Sequence, residues 1–126
     1  MPKTKTKKIL VIEHNEFHRF FYSFVLSHYY SCPVLTLDSG KKALKILRDN
    51  SFDIIYIDIS IPASDGIETL KNLRNYYPDF KVPIIAITNN RDRETLSQLI
   101  SLGITEYIVK PDVEESIFEK MGICFN

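Results

Sequence analysis

The sequence contains few cysteines, no long apolar run and no excess of charge of one sign. Its two cysteines, Cys32 and Cys124, are too few and too far apart to indicate a disulfide framework or a zinc site. We expect both to be free thiols in a reducing compartment, which predicts a cytoplasmic protein. The longest apolar runs span about four to six residues, against the ~20 that cross a bilayer, and the first residues lack the apolar stretch of a secretory signal.

Charge and length further limit the classes of protein to which this chain can belong. The 16 basic and 16 acidic residues cancel, so no broad electrostatic field favours nucleic acid or a membrane as a direct partner. The 126 residues, 44% hydrophobic and 25% charged, suit one globular domain with its own core. Because no linker, repeat or low-complexity stretch interrupts the chain, we expect residues 1–126 to form a single domain.

Five short apolar runs predict β-strands. Most are rich in β-branched residues and run without polar alternation, which is typical of strands buried on both faces of a parallel sheet. The second run is weaker because Thr36 interrupts it, and we expect it at an edge of the sheet. The five runs are Ile9–Ile12, Val34–Leu37, Ile54–Ile57, Ile84–Ile87 and Tyr107–Val109.

Segments of helical period lie between the strands, so the chain predicts an α/β fold with a doubly wound, five-stranded parallel sheet. We expect the aromatic stripe of the first helix to pack in the core. A last helix should begin at Asp112, with Glu115 as its capping partner, and end at Gly122. The apolar stripes are Phe17, Phe20, Phe21, Phe24 and Val25; Ala43, Leu44, Ile46 and Leu47; Ile67, Leu70 and Leu73; and Leu96, Leu99, Ile100 and Leu102.

Four of the runs are followed by polar residues of complementary types: Glu13, Asp58, Thr88 and Lys110. In an open parallel sheet these residues lie at the carboxyl edge, where ligands bind. With strand order 2-1-3-4-5, Asp58 is central and Lys110 is two strands away, roughly 10 Å. Two carboxylates suit a hard cation such as Mg²⁺, an ammonium and a hydroxyl suit a phosphate, and a carboxylate can attack phosphorus. Strands often end in a polar residue without any functional reason, and this explains any one of the four residues. It explains four complementary types at four strand ends less readily.

The residues around these positions resemble the receiver domains of two-component response regulators. That pattern has an acceptor Asp with a Pro four and a Gly eight residues later, a fourth strand ending in Thr, and a fifth strand ending in Lys-Pro with an aromatic residue three before the Lys. The resemblance covers nearly the whole chain and implies the flavodoxin-like architecture of single-domain chemotaxis regulators. The matching residues are Asp58, Pro62, Gly66, Thr88, Tyr107, Lys110 and Pro111, with Gly40 and Ala43–Leu44 after the second strand.

The resemblance implies a chemical role for each site residue. Asp58 would accept a phosphoryl group from a histidine kinase or phosphotransfer protein. Mg²⁺ would be held by Glu13, Asp58 and the backbone carbonyl of Ser60. Thr88 would hydrogen-bond the phosphoryl oxygens, and Lys110 would pair with them. The domain would thus be a signalling module rather than an enzyme, at most catalysing its own phosphorylation and dephosphorylation.

The resemblance also implies a switch. Tyr107 would turn inward when Thr88 moves, which would change the face that binds an output domain or a protein partner. Pro62, Gly66 and Pro111 would be structural, and the Lys110–Pro111 bond is expected to be cis, as proline permits. The sequence leaves a homodimer open and does not identify the cognate kinase.

Two residues depart from the family pattern. Receivers normally carry two adjacent acids after the first strand, and here the second is His14. Mg²⁺ binds imidazole poorly, so its binding should be weak, and a mixed nitrogen and oxygen ligand set would favour Mn²⁺. Asn89 replaces a residue that is usually small, which should slow access to the acceptor.

Two other functions are compatible with this architecture. A pseudo-receiver would keep the fold and bind partners without phosphorylation, which His14 and Asn89 favour. A flavodoxin-like cofactor carrier needs a loop rich in Gly, Ser or Thr after the first strand, and the segment His14-Asn-Glu-Phe-His-Arg19 contains none of these residues. The sequence therefore favours the phosphoacceptor, with the pseudo-receiver as the alternative.

Overall fold

The computed structural model describes residues 8–59, 65–88 and 93–109. Strands and helices alternate along this part of the chain, as the sequence predicts. In chain order the elements are β1 (Ile9–Ile12), α1 (Glu16–Tyr30), β2 (Val34–Leu37), α2 (Gly40–Ile46), β3 (Ile54–Asp58), α3 (Asp65–Tyr76), β4 (Ile84–Thr88), α4 (Arg93–Ser101) and β5 (Glu106–Val109).

The five strands form one parallel sheet in the order β2-β1-β3-β4-β5. The predicted fold class and strand order are therefore confirmed. Every residue of β1, β3 and β4 is buried, which accounts for their continuous apolar sequences. β2 lies at an edge and is only partly buried, as the interruption at Thr36 indicates.

Successive side chains of a strand point to opposite faces of the sheet, and this divides the core into two clusters. Ile9, Val11, Ile54 and Tyr56 point to one face, where Tyr22 and Leu26 of α1 cover them. The alternate residues of the same strands point to the other face. That face is covered by Ala43 of α2, Leu70 and Leu73 of α3 and Leu99 of α4.

The predicted burial of the aromatic stripe of α1 is wrong for three of its members. Phe17, Phe20 and Phe24 are 72%, 69% and 60% exposed, whereas Tyr22 and Leu26 are buried. Apolar residues lie on both sides of the helix, so the hydrophobic repeat is compatible with burial of either face against the sheet. The sequence favours burial of the face with more phenylalanine. In the structure that face points to solvent.

A similar difference occurs on α4, where Leu99 is buried but Ile100, one residue further round the helix, is 64% exposed. No helix in the described ranges is long and apolar enough to cross a membrane. Several predicted features lie outside the described residues: Ser60, Pro62, Asn89, Lys110, Pro111 and the last helix from Asp112 to Gly122.

Candidate functional site

Glu13 and Asp58 lie side by side at the carboxyl ends of two neighbouring strands. Ile12 of β1 pairs with Ile57 of β3, so the residues that follow them are adjacent, about 4.8 Å apart across the ladder. Both acids are fully buried. By strand alternation, Asp58 points to the same face as Ile54 and Tyr56, which is the face that α1 covers. The sheet therefore brings two carboxylates together beneath the first helix.

The electrostatics of Tyr22 show that both carboxylates act on one small region. Burial raises the pKa of the Tyr22 hydroxyl, and the negative charges of Glu13 and Asp58 raise it further. A buried cluster of negative charge is costly unless a cation compensates for it. Two buried carboxylates side by side are ligands of the type that hard cations prefer.

The loop between β1 and α1 is fixed by side chains from the first turns of the helix. Asn15 caps α1, because its side chain accepts a hydrogen bond from the His18 backbone N–H at 2.9 Å. The Asn15 backbone N–H donates to Glu13 Oε2 at 3.1 Å. Arg19 Nη1 donates to the carbonyl oxygens of Glu13 and His14, each at 2.9 Å. These contacts hold the Glu13 carboxylate and the His14 backbone in place.

Two histidines flank the Glu13 carboxylate. His14 Nδ1 lies 3.5 Å from Glu13 Oε2, with a side chain that is 43% exposed. His18 Nδ1 lies 3.9 Å from the same oxygen, with a side chain that is 42% exposed. In the described ranges, no group of three or more His, Cys, Asp or Glu side chains is placed to hold a metal ion. Both histidines therefore lie beside the Glu13 carboxylate.

Sequence reasoning missed three residues of this neighbourhood: His18, Arg19 and Tyr22. His18 and Tyr22 are one helical turn apart on α1, with ring centroids 6.2 Å apart. The signal that could have found them is Asn15, a favourable N-cap residue directly after the acidic strand end. A helix that begins there places its first turns over the carboxyl edge of the sheet.

Thr88 and Tyr107 occupy the strands on the other side of Asp58. Asp58 pairs with Ile87, and Thr88, one residue further along β4, is buried and pairs with Val109 of β5. Tyr107 is half-buried and packs against the core cluster beneath α2, α3 and α4. The structure thus brings Glu13, Asp58 and Thr88 to one edge of the sheet, with Tyr107 two residues before the end of β5.

Gly66 allows the start of α3 to lie directly against the end of β3. A Cβ atom at residue 66 would lie 2.8 Å from Ile59 Cα and 3.1 Å from the Asp58 carbonyl oxygen. Any side chain there would push α3 away or displace the backbone of Asp58. The structural role that the sequence predicts for Gly66 thus has a physical basis in this close approach.

Comparison with known proteins agrees with this architecture. The chemotaxis protein CheY-3 of Vibrio cholerae is 33% identical over 88 residues, which are 70% of this chain and 68% of that protein. The CAI-1 autoinducer sensor kinase/phosphatase CqsS of Vibrio cholerae is 28% identical over 117 residues, and this chain spans only 17% of its length. A high-resolution structure of the chemotaxis response regulator CheY4 of Vibrio cholerae superposes with a TM-score of 0.82 at 24% identity, covering 96% of this chain and 100% of that one.

A sequence profile described as the response regulator receiver domain matches residues 9–121. The match includes every strand of the sheet and both buried acids. Receiver domains are signalling modules of two-component systems rather than enzymes with a substrate of their own. The chain belongs to the response regulator receiver domain family.

Proposed function

We propose that this chain is a phosphoacceptor receiver domain, extending over residues 1–126, in which Asp58 is the residue that becomes phosphorylated. One observation carries the proposal: Asp58 is fully buried at the end of the central strand β3, directly beside a second buried acid, Glu13. A carboxylate at that position can act as a nucleophile towards phosphorus and form an aspartyl phosphate. Residues of the neighbouring strands and loops would supply the other groups that such a reaction needs.

The donor atoms at this edge fit a hard divalent cation. Glu13 and Asp58 are carboxylates, and with the backbone carbonyl of Ser60 they would form an oxygen ligand set of the kind that Mg²⁺ prefers. A cation bound there would neutralise charge on the phosphoryl group. His14 is within 3.5 Å of Glu13, and its nitrogen would shift the preference towards Mn²⁺ if it reached the cation.

The chain's own residues would position the reacting groups and respond to the product. Asp58 would attack phosphorus while the bond to the donor breaks, and the donor leaves with the electron pair. Thr88 would donate a hydrogen bond to a phosphoryl oxygen, and Lys110 would pair with another. Asn15 and Arg19 would keep the Glu13 carboxylate and its backbone in position through the hydrogen bonds described above.

A change at Thr88 would reach the surface through β5. Thr88 pairs with Val109, two residues after Tyr107. Tyr107 is half-buried on the face of the sheet that α4 covers, and in the proposed switch its ring would move between a more buried and a more exposed position. We propose that this equilibrium switches a face that binds a protein partner or an output domain.

The partners follow from the chemistry of a phosphohistidine donor. We propose that a histidine kinase or a phosphotransfer protein supplies the phosphoryl group in the cytoplasm. CqsS is itself a sensor kinase/phosphatase, so a segment similar to this chain occurs within a kinase as well as in single-domain chemotaxis proteins. Either setting is compatible with this role.

A pseudo-receiver is the second candidate, and the position of His14 favours it. The imidazole occupies the place where receivers normally carry an acid, and its side chain is 43% exposed beside Glu13. With two carboxylates instead of three, the cation that assists phosphorylation would bind more weakly. In that case the domain would bind its partner through the fold alone.

Intact-mass spectrometry after incubation with acetyl phosphate and Mg²⁺ tests the proposal. We expect a single, hydroxylamine-labile phosphoryl adduct on the parent chain and none on Asp58→Asn. Asp53→Asn is the matched control, because Asp53 lies just before the same strand but is exposed and accepts a hydrogen bond from the Lys8 backbone N–H. A parent chain without an adduct, in Mg²⁺ and in Mn²⁺, would instead favour the pseudo-receiver.

A further inference from the structure

The outer face of α1 carries a row of four exposed residues that no other described element covers. Glu16, Phe20, Phe24 and His28 are spaced by four residues, so they lie one above another along the helix. Phe20 and Phe24 are 69% and 60% exposed. We call these four residues the α1 row.

The rings of the α1 row lie in nearly parallel planes. The Phe20 and Phe24 rings are stacked with centroids 6.4 Å apart and an interplanar angle of 18°. The Phe24 and His28 rings are stacked at 5.9 Å and 10°. Phe17, which is 72% exposed, extends the apolar surface towards the start of the helix. Aligned rings of this kind offer a regular apolar surface against which the rings of another chain can pack, offset or edge to face.

The order of residues in the row is self-complementary. We infer that the α1 row is an interface for a second copy of this chain, in which the two α1 helices run antiparallel. A two-fold axis between Phe20 and Phe24 would place Phe20 of each copy opposite Phe24 of the other. The same axis places Glu16 opposite His28, at both ends of the contact. Such an isologous arrangement uses the same patch on both copies and closes at a dimer.

Charge selects the antiparallel direction. The carboxylate of Glu16 would meet the imidazole of His28, which has an N–H donor in both of its protonation states. The N-terminal end of each helix dipole would meet the C-terminal end of the other. A parallel pair would instead place Glu16 beside Glu16 and align the two dipoles unfavourably. Arg19 would not interfere, because its guanidinium group donates to the carbonyl oxygens of Glu13 and His14.

The available area is sufficient for a weak dimer. The exposed fractions of Phe17, Phe20 and Phe24 amount to roughly 400 Å² per copy, taking about 200 Å² for a whole phenylalanine side chain. Two copies contribute roughly 800 Å², and Glu16, Ser27 and His28 at the edges bring the total above the ~1,000 Å² of a specific interface. Single exposed apolar residues are common, but a contiguous patch of this size usually marks a binding surface.

Sedimentation velocity of the unphosphorylated 126-residue chain, from about 1 µM to about 1 mM, tests this inference. We expect a reversible monomer–dimer equilibrium that is lost in Phe20→Ser/Phe24→Ser. Ile100→Ser is the matched control, because Ile100 is an equally exposed apolar residue on α4, and it should leave the equilibrium unchanged. Both substitutions are at exposed positions, so circular dichroism and urea unfolding should match those of the parent.

A charge exchange distinguishes this dimer from association through any other surface. Glu16→Lys alone and His28→Glu alone should each weaken the dimer about tenfold, because the contact occurs twice. Glu16→Lys combined with His28→Glu should restore the parent affinity to within about threefold, since each Lys would again face a Glu. Glu16 and His28 are about 18 Å apart along one helix, so this rescue cannot arise within one copy.

The inference is overturned by a chain that stays monomeric at about 1 mM, including one whose α1 row binds lipid vesicles or a helical peptide instead. It is also overturned if the double phenylalanine variant still dimerises, or if the charge exchange fails to restore affinity. Because the protein is unphosphorylated throughout, the result does not depend on whether Asp58 accepts a phosphoryl group.

Discussion

Replacing His14 with aspartate should increase the affinity for Mg²⁺, because it adds a third carboxylate beside Glu13. The His14 imidazole nitrogen lies 3.5 Å from Glu13 Oε2, so a carboxylate at this position can reach a cation bound there. At about 4 Å, a single negative charge and a divalent ion attract by about 2 kcal/mol in bulk water and about 8 kcal/mol at an effective dielectric constant of 20.

In this structure the attraction between the new carboxylate and the cation should lie near the lower, bulk-water limit. The His14 side chain is 43% exposed, so solvent screens the attraction. Repulsion between the new carboxylate and Glu13 is present with and without the cation, so it largely cancels, whereas ordering the aspartate side chain on the cation offsets about 1 kcal/mol. The net gain is therefore about 1–2 kcal/mol, which corresponds to roughly tenfold tighter binding of Mg²⁺.

Isothermal titration of Mg²⁺ into the parent, His14→Asp and His14→Asn measures this gain. His14→Asn is the matched control, because asparagine has the shape of aspartate without its charge. We expect about tenfold tighter binding for His14→Asp relative to His14→Asn, together with faster Mg²⁺-dependent phosphorylation. Equal affinities for the parent and His14→Asp would show that residue 14 does not face the cation, and would refute the reasoning about the first strand.

Three further predictions concern packing, proton binding and switching. Gly40→Ala should lower the free energy of unfolding by about 1–3 kcal/mol in urea, because a Cβ there would collide with the Thr69 hydroxyl, and an unchanged urea midpoint would contradict the packing of α2 against α3. The pKa of Tyr22 is raised above its ordinary value of 10.0, so the stability it contributes is intact below that pH and is lost as the pH rises above it. Between a pH below 10.0 and a pH above it, the free energy of unfolding in urea should therefore fall less for Tyr22→Phe than for the parent. Equal decreases in the two proteins would contradict the raised pKa. Beryllofluoride, a phosphoryl mimic, should shift the amide resonances of Ile104 and Tyr107 in a saturable manner, and saturable binding without such shifts would count against the switch.

The sheet could be predicted from the sequence because its strands are short, continuous and bounded by polar residues. Glu13, Asp58 and Thr88 were found in the same way, since a residue that ends a buried parallel strand must emerge at the carboxyl edge. The edge position of β2 followed from the weakness of Val34–Leu37, whereas the complete strand order came with the resemblance to receiver domains. For these features, the residues that the local sequence pattern predicts to be strand or strand end are the ones that the fold uses in those places.

The orientation of α1 could not be predicted, because the helix is apolar on both sides. Its hydrophobic period allows either the face with Phe20 and Phe24 or the face with Tyr22 and Leu26 to pack on the sheet. Only the tertiary structure shows that the second face is buried. The same orientation brings His18 to within 3.9 Å of the Glu13 carboxylate, a contact that the sequence alone does not indicate.

Some contacts join residues that are distant in the sequence, and nothing in the sequence around them indicates the contact. Arg74 of α3 donates to the carbonyl oxygens of Phe80, Leu102 and Gly103, at 3.1, 2.7 and 2.9 Å. These bonds hold the turn before β5, where Gly103 has a φ of 81°. Nothing in the composition or period of α3 distinguishes Arg74 from a solvated surface residue.

Identifying the phosphorylated residue tests the central claim most directly. The chain would be treated with acetyl phosphate and Mg²⁺, reduced with borohydride, which converts an acyl phosphate to an alcohol, and digested for fragmentation by mass spectrometry. We predict the alcohol at residue 58 and at no other acid, with Asp53 in the same region unchanged. An alcohol at a different acid, or an unmodified residue 58 in a chain that carries a labile phosphoryl group, would contradict the assignment of Asp58 as the acceptor.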